Sequence, residues 1–240
     1  MLRFTWHKAG LKVGRQASSS VDVRLALIAV FVLTGLPAAG QTPTRPSADA
    51  LARALQQHYQ SINDFTAYFS QTYRGGALKT RSTEEGTVEV KKPGKMRWIY
   101  IAPEKKQFIS DGVRMYLYIP QDRQVIVSSV DNADTSTSSL FLAGKGDIAR
   151  DFTAAYTDTP VAGTVALKLT PRRHQPDYEY LIVALEPATL QIRGLVTHDL
   201  QGGDSTITFT NMKENRGLSD KDFAFRIPKG VDVIDNAARN

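Results

Sequence analysis

The stretch at residues 86–101, GTVEVKKPGKMRWIYI, predicts two short antiparallel strands joined by a tight turn. The turn falls at Lys92-Pro93-Gly94, because proline presets the backbone dihedral and glycine supplies a positive φ without a steric clash. Side chains alternate between the two faces of a strand. One face of this hairpin therefore carries only apolar and aromatic side chains: Val88, Val90, Met96, Trp98 and Tyr100. Such a face must be covered either by other protein or by a ligand.

The first 40 residues have the pattern of a secretory signal peptide. Basic residues precede an apolar run at 25–36, and the small residues Ala38, Ala39 and Gly40 follow it. The run has about 12 residues, too few to cross a bilayer comfortably, although an uncleaved anchor is the alternative. We expect cleavage near residue 40, a linker at 41–47 and one exported domain at 48–240. The chain has no cysteine, so we expect neither disulfides nor an attached lipid.

The net charge does not favour nucleic acid as a partner. Once residues 1–40 are removed, 25 basic and 23 acidic residues remain, a net charge of +2. No cluster of lysine and arginine interleaved with aromatic residues is present.

The period of the apolar residues predicts one helix followed by many strands. Residues 48–61 repeat at helical spacing after Ser47, a good N-cap. After Asp64 the period changes to two, and short segments alternate with turn residues. We predict strands at 65–73, 86–101 (the hairpin), 107–110, 113–119, 124–130, 152–157, 164–170, 178–186, 190–200 and 205–212, with a closing segment at 223–233. One or two short helices are predicted at 138–151, after a polar loop at 131–138.

The predicted fold class is therefore mainly β, with about ten antiparallel strands and two or three short helical segments. A twisted sheet of that length offers a larger apolar face than so few helices can cover. A ligand cavity and a fully packed core remain the two alternatives, since both produce nearly the same sequence pattern.

The sequence contains no recognisable catalytic or metal-binding motif. The histidines beyond residue 40, His58, His174 and His198, are scattered over a helix, a loop and a strand. Asp111 precedes Gly112 and is explained as a turn residue. We expect no enzymatic activity, no catalytic residue, no metal and no cofactor.

Several apolar residues could instead line a binding site for flexible chains, with simple core packing as the alternative. The candidates are Phe69, Val88, Val90, Met96, Trp98, Tyr100, Met115, Leu140 and Phe141.

Four segments together resemble the family of periplasmic outer-membrane lipoprotein carriers called LolA. The likeness extends over roughly residues 51–235. The segments are Asp64-Phe65-x-Ala67-x-Phe69-x-Gln71, Gly86-x-Val88-x-Val90-Lys91-Lys92-Pro93-x-x-Met96-x-Trp98, Ser110-Asp111-Gly112 and Phe223-x-Phe225-x-x-Pro228-x-Gly230-Val231-x-Val233.

The resemblance implies an unclosed antiparallel half-barrel whose concave apolar face is covered by a helical lid and holds the acyl chains of lipoproteins. It implies a monomeric periplasmic chaperone for outer-membrane biogenesis. Its implied partners are lipoproteins, an inner-membrane lipoprotein-releasing ABC transporter and an outer-membrane lipoprotein receptor.

Two residues depart from the family pattern. Lys92 stands where the family typically has an arginine that latches the lid, and Met96 replaces an aromatic residue near the turn. Lysine keeps the charge but lacks the planar fork of donors. The alternatives to a lipoprotein carrier are a carrier of another amphiphile (a glycolipid or acyl precursor), a lipid-sensing regulatory domain on the same scaffold, and a secreted hydrolase of acyl esters.

Overall fold

The computed structural model describes residues 45–75, 81–130 and 147–236, all of which belong to one compact unit. Twelve strands form a single sheet. The strands are β1 (Asp64–Arg74), β2 (Arg81–Lys91), β3 (Lys95–Ala102), β4 (Lys106–Asp111), β5 (Arg114–Ile119), β6 (Gln124–Ser129), β7 (Phe152–Thr157), β8 (Val165–Pro171), β9 (Tyr180–Leu185), β10 (Ile192–His198), β11 (Asp204–Glu214) and β12 (Asp232–Asp235).

The sheet is unclosed, as predicted, with the strand order β12-β6-β5-β4-β3-β2-β1-β11-β10-β9-β8-β7. Most neighbours are antiparallel and consecutive in the chain, which is typical of hairpin connections. The mainly β fold class is confirmed, with two refinements. The described residues form twelve strands where about ten were predicted, and β12 pairs in parallel with β6 where an antiparallel sheet was predicted. The parallel pair joins segments about 100 residues apart, so no local turn could have indicated it.

Helix α1 (Ala48–Ser61) has the bounds that the sequence predicted. The hydroxyl oxygen of Ser47 accepts a hydrogen bond from the amide of Ala50 and so caps the helix. Leu51, Leu55 and Tyr59 recur every four residues and are buried. They pack in one core with residues of β1, β2 and β3. The sheet face beneath α1 is called the inner face below, and the opposite side is the outer face.

A second helix, α2 (Ile148–Asp151), is only one turn long. The side chain of Asp147 caps it by accepting from the amide of Arg150 at 2.8 Å. The amide of Ile148 donates to Gln56 Oε1 at 2.8 Å, which connects α2 to α1. The predicted loop at 131–138 and the predicted apolar residues Leu140 and Phe141 lie outside the described residues.

The central hairpin forms as predicted. Gly94 adopts a φ of 73°, and its carbonyl accepts a 2.8 Å hydrogen bond from the buried hydroxyl of Ser110 on β4. Gly86 faces Phe69 across β1 and β2, and a Cβ there would lie 2.0 Å from the carbonyl oxygen of Ile99. Only glycine allows this close approach.

The segment after β11 crosses the outer face of β2 to β5. Asp64, a buried carboxylate at the start of β1, accepts hydrogen bonds from the amides of residues 216, 217 and 218. A 3-10 helix (Asp220–Phe223) follows and buries Phe223 completely. Phe225 then packs on Tyr116 and Tyr118 of β5, with ring centroids 5.3 and 5.9 Å apart. The sequence predicted a closing segment here but not its position.

None of the helices in the described ranges has both the length and the hydropathy that crossing a membrane requires.

Candidate functional site

The predicted apolar site residues that the structure describes lie on the inner face. Phe69, Val88, Val90, Met96 and Trp98 are at most 3% exposed and belong to one core beneath α1. Tyr100 packs against the same core. Met115 is also buried, and its register partner is Ser110, which pairs with Met96. The structure therefore brings these seven residues to one face.

Aromatic rings occupy the centre of the inner face. The ring of Phe69 meets Trp98 edge-on at 4.9 Å and Tyr100 at 5.0 Å between centroids. Phe209 on β11, 6.4 Å from Trp98, completes the group. Phe209 was not among the predicted site residues, although it lies in a predicted strand. It joins the aromatic group because β11 pairs it with Phe69 on β1.

The indole Nε1–H of Trp98 is a buried donor to which the described part of the chain offers no acceptor. Leaving such a donor without a partner costs about 1–3 kcal/mol. A buried, unpaired donor on an apolar face needs an explanation, and a ligand acceptor is one.

Helix α1 packs closely on its side of the inner face. A void of about 10 Å³ lies beside Tyr59, between the end of α1 and the ends of β1, β10 and β11. It is about the smallest void that can admit one water molecule. An acyl chain could therefore enter here only if α1 moved away.

The inner face is less covered at β4, β5 and β6. Phe108, Leu117 and Ile126 are consecutive register partners there and are only partly buried. On the outer face of the same strands, Ile109 and Val125 are fully buried. The described part of the inner face therefore has a packed half under α1 and a more open half beside it.

Lys92 makes the contact that the latch hypothesis requires. Its Nζ donates a hydrogen bond to the backbone carbonyl of Tyr59 and lies 3.4 Å from the centroid of the Tyr59 ring. Burial lowers the pKa of Lys92 from 10.5 to about 8, and the negative charge of Glu214 partly opposes this shift. Burial and Glu214 both raise the pKa of the Tyr59 phenol. The role of Lys92 as a lid latch stays a prediction.

Glu214, at the end of β11, connects this corner to the rest of the sheet. Its carboxylate lies 3.6 Å from His58 Nε2 on α1 and accepts a 3.2 Å hydrogen bond from Gln191. No local pattern indicates that His58 and Glu214 meet, because they are 156 positions apart.

Two other polar residues of types found in catalytic sites, His198 and Asp111, make structural contacts. His198 Nδ1 is 2.8 Å from Asp204, and its ring stacks on Tyr180 at 4.6 Å. Asp111 caps the predicted turn by accepting from the amides of Val113 and Arg114. Within ranges 45–75, 81–130 and 147–236, no three or more His, Cys, Asp or Glu side chains form a group that could hold a metal ion.

Fold and site together define an open, mainly antiparallel β-sheet protein whose apolar, aromatic face is covered by an amphipathic helix. Residues 60–226 match the family described as outer membrane lipoprotein carrier protein LolA. The chain belongs to this family, which confirms the resemblance found in the sequence.

Two relatives found by sequence support the assignment. The chain is 31% identical to an outer-membrane lipoprotein carrier protein of Chromohalobacter salexigens over 86% of this chain and 95% of that one. It is 27% identical to a protein of the same description from Hahella chejuensis over 89% of this chain and 100% of that one. Among solved structures, a LolA superfamily protein of Nitrosomonas europaea is 11% identical, with a TM-score of 0.42, over 75% of this chain and 99% of that one.

Proposed function

We propose that this protein is a periplasmic carrier that binds the acyl chains of lipoproteins on its inner face and shuttles them from the inner to the outer membrane. One observation above all supports the proposal. The aromatic inner face lies under an amphipathic helix whose C-terminal turn contacts the half-buried ammonium of Lys92. The names of the relatives and the predicted signal peptide at 1–40 agree with this role.

The mechanism we propose is a competition between α1 and the cargo for the inner face. Each large apolar side chain of α1 contributes about 1.5–3 kcal/mol when buried, and each buried methylene of a cargo about 0.8 kcal/mol. Ten buried methylenes would thus contribute about 8 kcal/mol. The three large buried side chains of α1, Leu51, Leu55 and Tyr59, contribute about 5–9 kcal/mol together. Two or three acyl chains would therefore outweigh them.

Opening would break the contact between Lys92 and the last turn of α1. This contact has one hydrogen bond and one cation–π interaction, where an arginine could donate several hydrogen bonds at once. We expect the empty carrier to open more readily than one with arginine at position 92. In this proposal, an inner-membrane ABC transporter loads the carrier and an outer-membrane receptor unloads it, with no catalytic step.

Trp98 provides a direct test of acyl binding. The chain has two tryptophans, Trp6 and Trp98, so a protein that starts after residue 40 has only the one on the inner face. Titration with a triacylated lipopeptide whose acyl chains carry bromine should quench its fluorescence, because bromine quenches tryptophan only at contact distance. The unbrominated lipopeptide should not.

The matched control moves the reporter to the outer face. A variant with Trp98→Phe and Tyr116→Trp places the only tryptophan beside Phe225, where brominated chains should have no effect. Native mass spectrometry of the protein purified from the periplasm should then identify the cargo. Absence of binding would show that the inner face is only a core, and co-purified glycolipid alone would indicate a carrier of another amphiphile.

A further inference from the structure

The inner face ends in a cluster of polar side chains at the opposite ends of β1, β2 and β3 from Lys92. Five side chains form this cluster, called the polar belt below: Gln71, Glu84, Tyr100, Lys106 and Ser205. Gln71 and Glu84 are register partners across β1 and β2, and Tyr100 and Lys106 are partners across β3 and β4.

Hydrogen bonds and one ion pair connect the belt across strands. Lys106 Nζ lies 2.5 Å from Glu84 Oε1 and 4.5 Å from the centroid of the Tyr100 ring. The Tyr100 hydroxyl lies 3.5 Å from Gln71 Oε1, and Gln71 Nε2 donates to Ser205 Oγ at 3.1 Å. Burial, followed by the charge of Glu84, raises the pKa of Tyr100, so this phenol remains a donor.

The belt adjoins the aromatic centre of the inner face. Tyr100 follows Trp98 by two residues on β3, and Gln71 follows Phe69 by two residues on β1, a step of about 7 Å along each strand. From Val90, near Lys92, to Glu84 the distance along β2 is six residues, or about 20 Å. An apolar surface long enough for an extended acyl chain thus separates the belt from Lys92.

The chemistry of the belt selects for an uncharged polar group. Glu84 and Lys106 neutralise each other, and the carboxylate would repel a phosphate or a free carboxylate. The Lys106 ammonium has protons beyond the one it donates to Glu84, and the buried Nε1–H of Trp98, two residues before Tyr100 on β3, is an unpaired donor among the described residues. Carbonyl oxygens of esters and amides are acceptors that match these donors.

The ion pair between Lys106 and Glu84 is partly exposed to solvent. The side chains of Lys106 and Glu84 are 29% and 25% exposed, and Tyr73, two residues beyond Gln71, is 38% exposed. The linkage region of a lipoprotein must lie near solvent, because the folded protein part of the cargo stays outside the carrier.

We propose that the polar belt, together with Trp98 Nε1–H, binds the ester and amide carbonyls that link acyl chains to the cargo, and so orients the chains toward Lys92. This inference rests on the proposed function and adds to it a site for the polar linkage. The belt makes the carrier select diacylglyceryl and N-acyl groups over plain alkyl chains.

The experiment compares two lipopeptides that differ only in their linkage. One is a tripalmitoyl-S-glyceryl-cysteinyl peptide with ester linkages, and the other is its diether analogue, which lacks the two ester carbonyls. We expect wild-type protein to bind the diester about tenfold more tightly, the effect of one hydrogen bond to a charged donor. Quenching of Trp98 by the brominated forms would report both affinities.

The variant Glu84→Leu/Lys106→Met lacks the charged donor Lys106 and should therefore lose the tenfold preference. Replacing both partners of an ion pair with apolar residues of similar size is often neutral for stability, so the variant should fold. The control, Lys95→Met/Asp220→Leu, removes a 2.7 Å ion pair on the outer face and should keep the preference.

Two results would overturn the inference while leaving the carrier function intact. Equal affinity of wild-type protein for both lipopeptides would show that the carbonyls are not recognised. A preference that persists in Glu84→Leu/Lys106→Met would show that the ion pair of the belt does not provide it. Failure of wild-type protein to bind either lipopeptide would instead contradict the proposed function itself.

Discussion

Lys92 is a titratable residue at the contact between the last turn of α1 and the sheet. Its ammonium is half buried against the Tyr59 ring and carbonyl, and its pKa is lowered to about 8 mainly because burial removes water from the charge. The folded protein therefore binds a proton at this site less strongly than the unfolded chain does. Raising the pH should stabilise the folded protein, since the free energy of unfolding rises with pH wherever the unfolded state holds more protons.

We predict that the free energy of unfolding of the wild-type protein rises between about pH 8 and pH 10, within the window bounded by the folded pKa of Lys92, about 8, and the ordinary lysine value of 10.5. Tyr59 does not contribute in this window, because its raised pKa matters only above the ordinary tyrosine value of 10. Urea unfolding followed by Trp98 fluorescence measures the effect. Lys92→Met should abolish the rise, and Lys229→Met, which removes an exposed lysine, should not. A rise that survives in Lys92→Met would disprove the assignment.

At the scale of elements, the structure shows how one buried carboxylate attaches the segment after β11 to the sheet. Asp64 accepts hydrogen bonds of 2.6, 3.0 and 3.2 Å from three consecutive amides at 216–218. The segment is thereby positioned so that Phe223 and Phe225 reach the outer face of β4 and β5. The same segment leads into β12, the strand that pairs in parallel with β6.

We predict that Asp64→Ala destabilises the protein by about 2 kcal/mol, because up to three amides lose their acceptor in a partly buried site. Hydrogen exchange should accelerate first at residues 216–225 and in β12, while exchange in β8 and β9 stays slow. Asp122→Ala, at an exposed turn, serves as the control and should change neither. Uniformly faster exchange across the whole sheet would mean that Asp64 supports β1 rather than the crossing segment.

In the proposed mechanism, a substitution that destabilises the closed protein should raise the affinity of the whole molecule for its ligand. Leu55 is fully buried between α1 and the inner face. Truncating it weakens the closed state by about 2–5 kcal/mol. Less free energy is then needed to displace α1, so a ligand that binds in its place binds more tightly.

We predict that Leu55→Ala lowers the melting temperature and at the same time binds a triacylated lipopeptide at least tenfold more tightly. Differential scanning fluorimetry and Trp98 quenching provide the two readouts. Ile109→Ala removes an equally buried side chain on the outer face, so it should lower the melting temperature without raising the affinity. A parallel loss of stability and affinity in Leu55→Ala would contradict the competition between α1 and cargo.

Elements that are determined by neighbouring residues in the chain were predicted well. Helix α1 begins and ends where Ser47 and the apolar spacing indicated, and the turn at Lys92-Pro93-Gly94 formed as its residue types require. The strand 152–157 also has its predicted bounds. Backbone geometry and side-chain periodicity act over a few residues, so a single sequence contains this information.

Interactions between distant segments could not be predicted in the same way. Lys92 and Tyr59 meet across 33 positions, Gln71 and Ser205 across 134, and Asp64 and Gly217 across 153. Phe209 joins the aromatic centre only through its pairing with Phe69.

The amphipathic helix, the succession of short strands and the apolar, aromatic sheet face could be predicted from the residues, because each follows from local periodicity. Which residues of α1 contact that face, the polar belt at one end of it and the crossing of the outer face by the segment after β11 are apparent only in the folded protein. Register and packing depend on the energies of contacts between residues far apart in the chain, and no local pattern of apolar and polar residues specifies which distant partners meet.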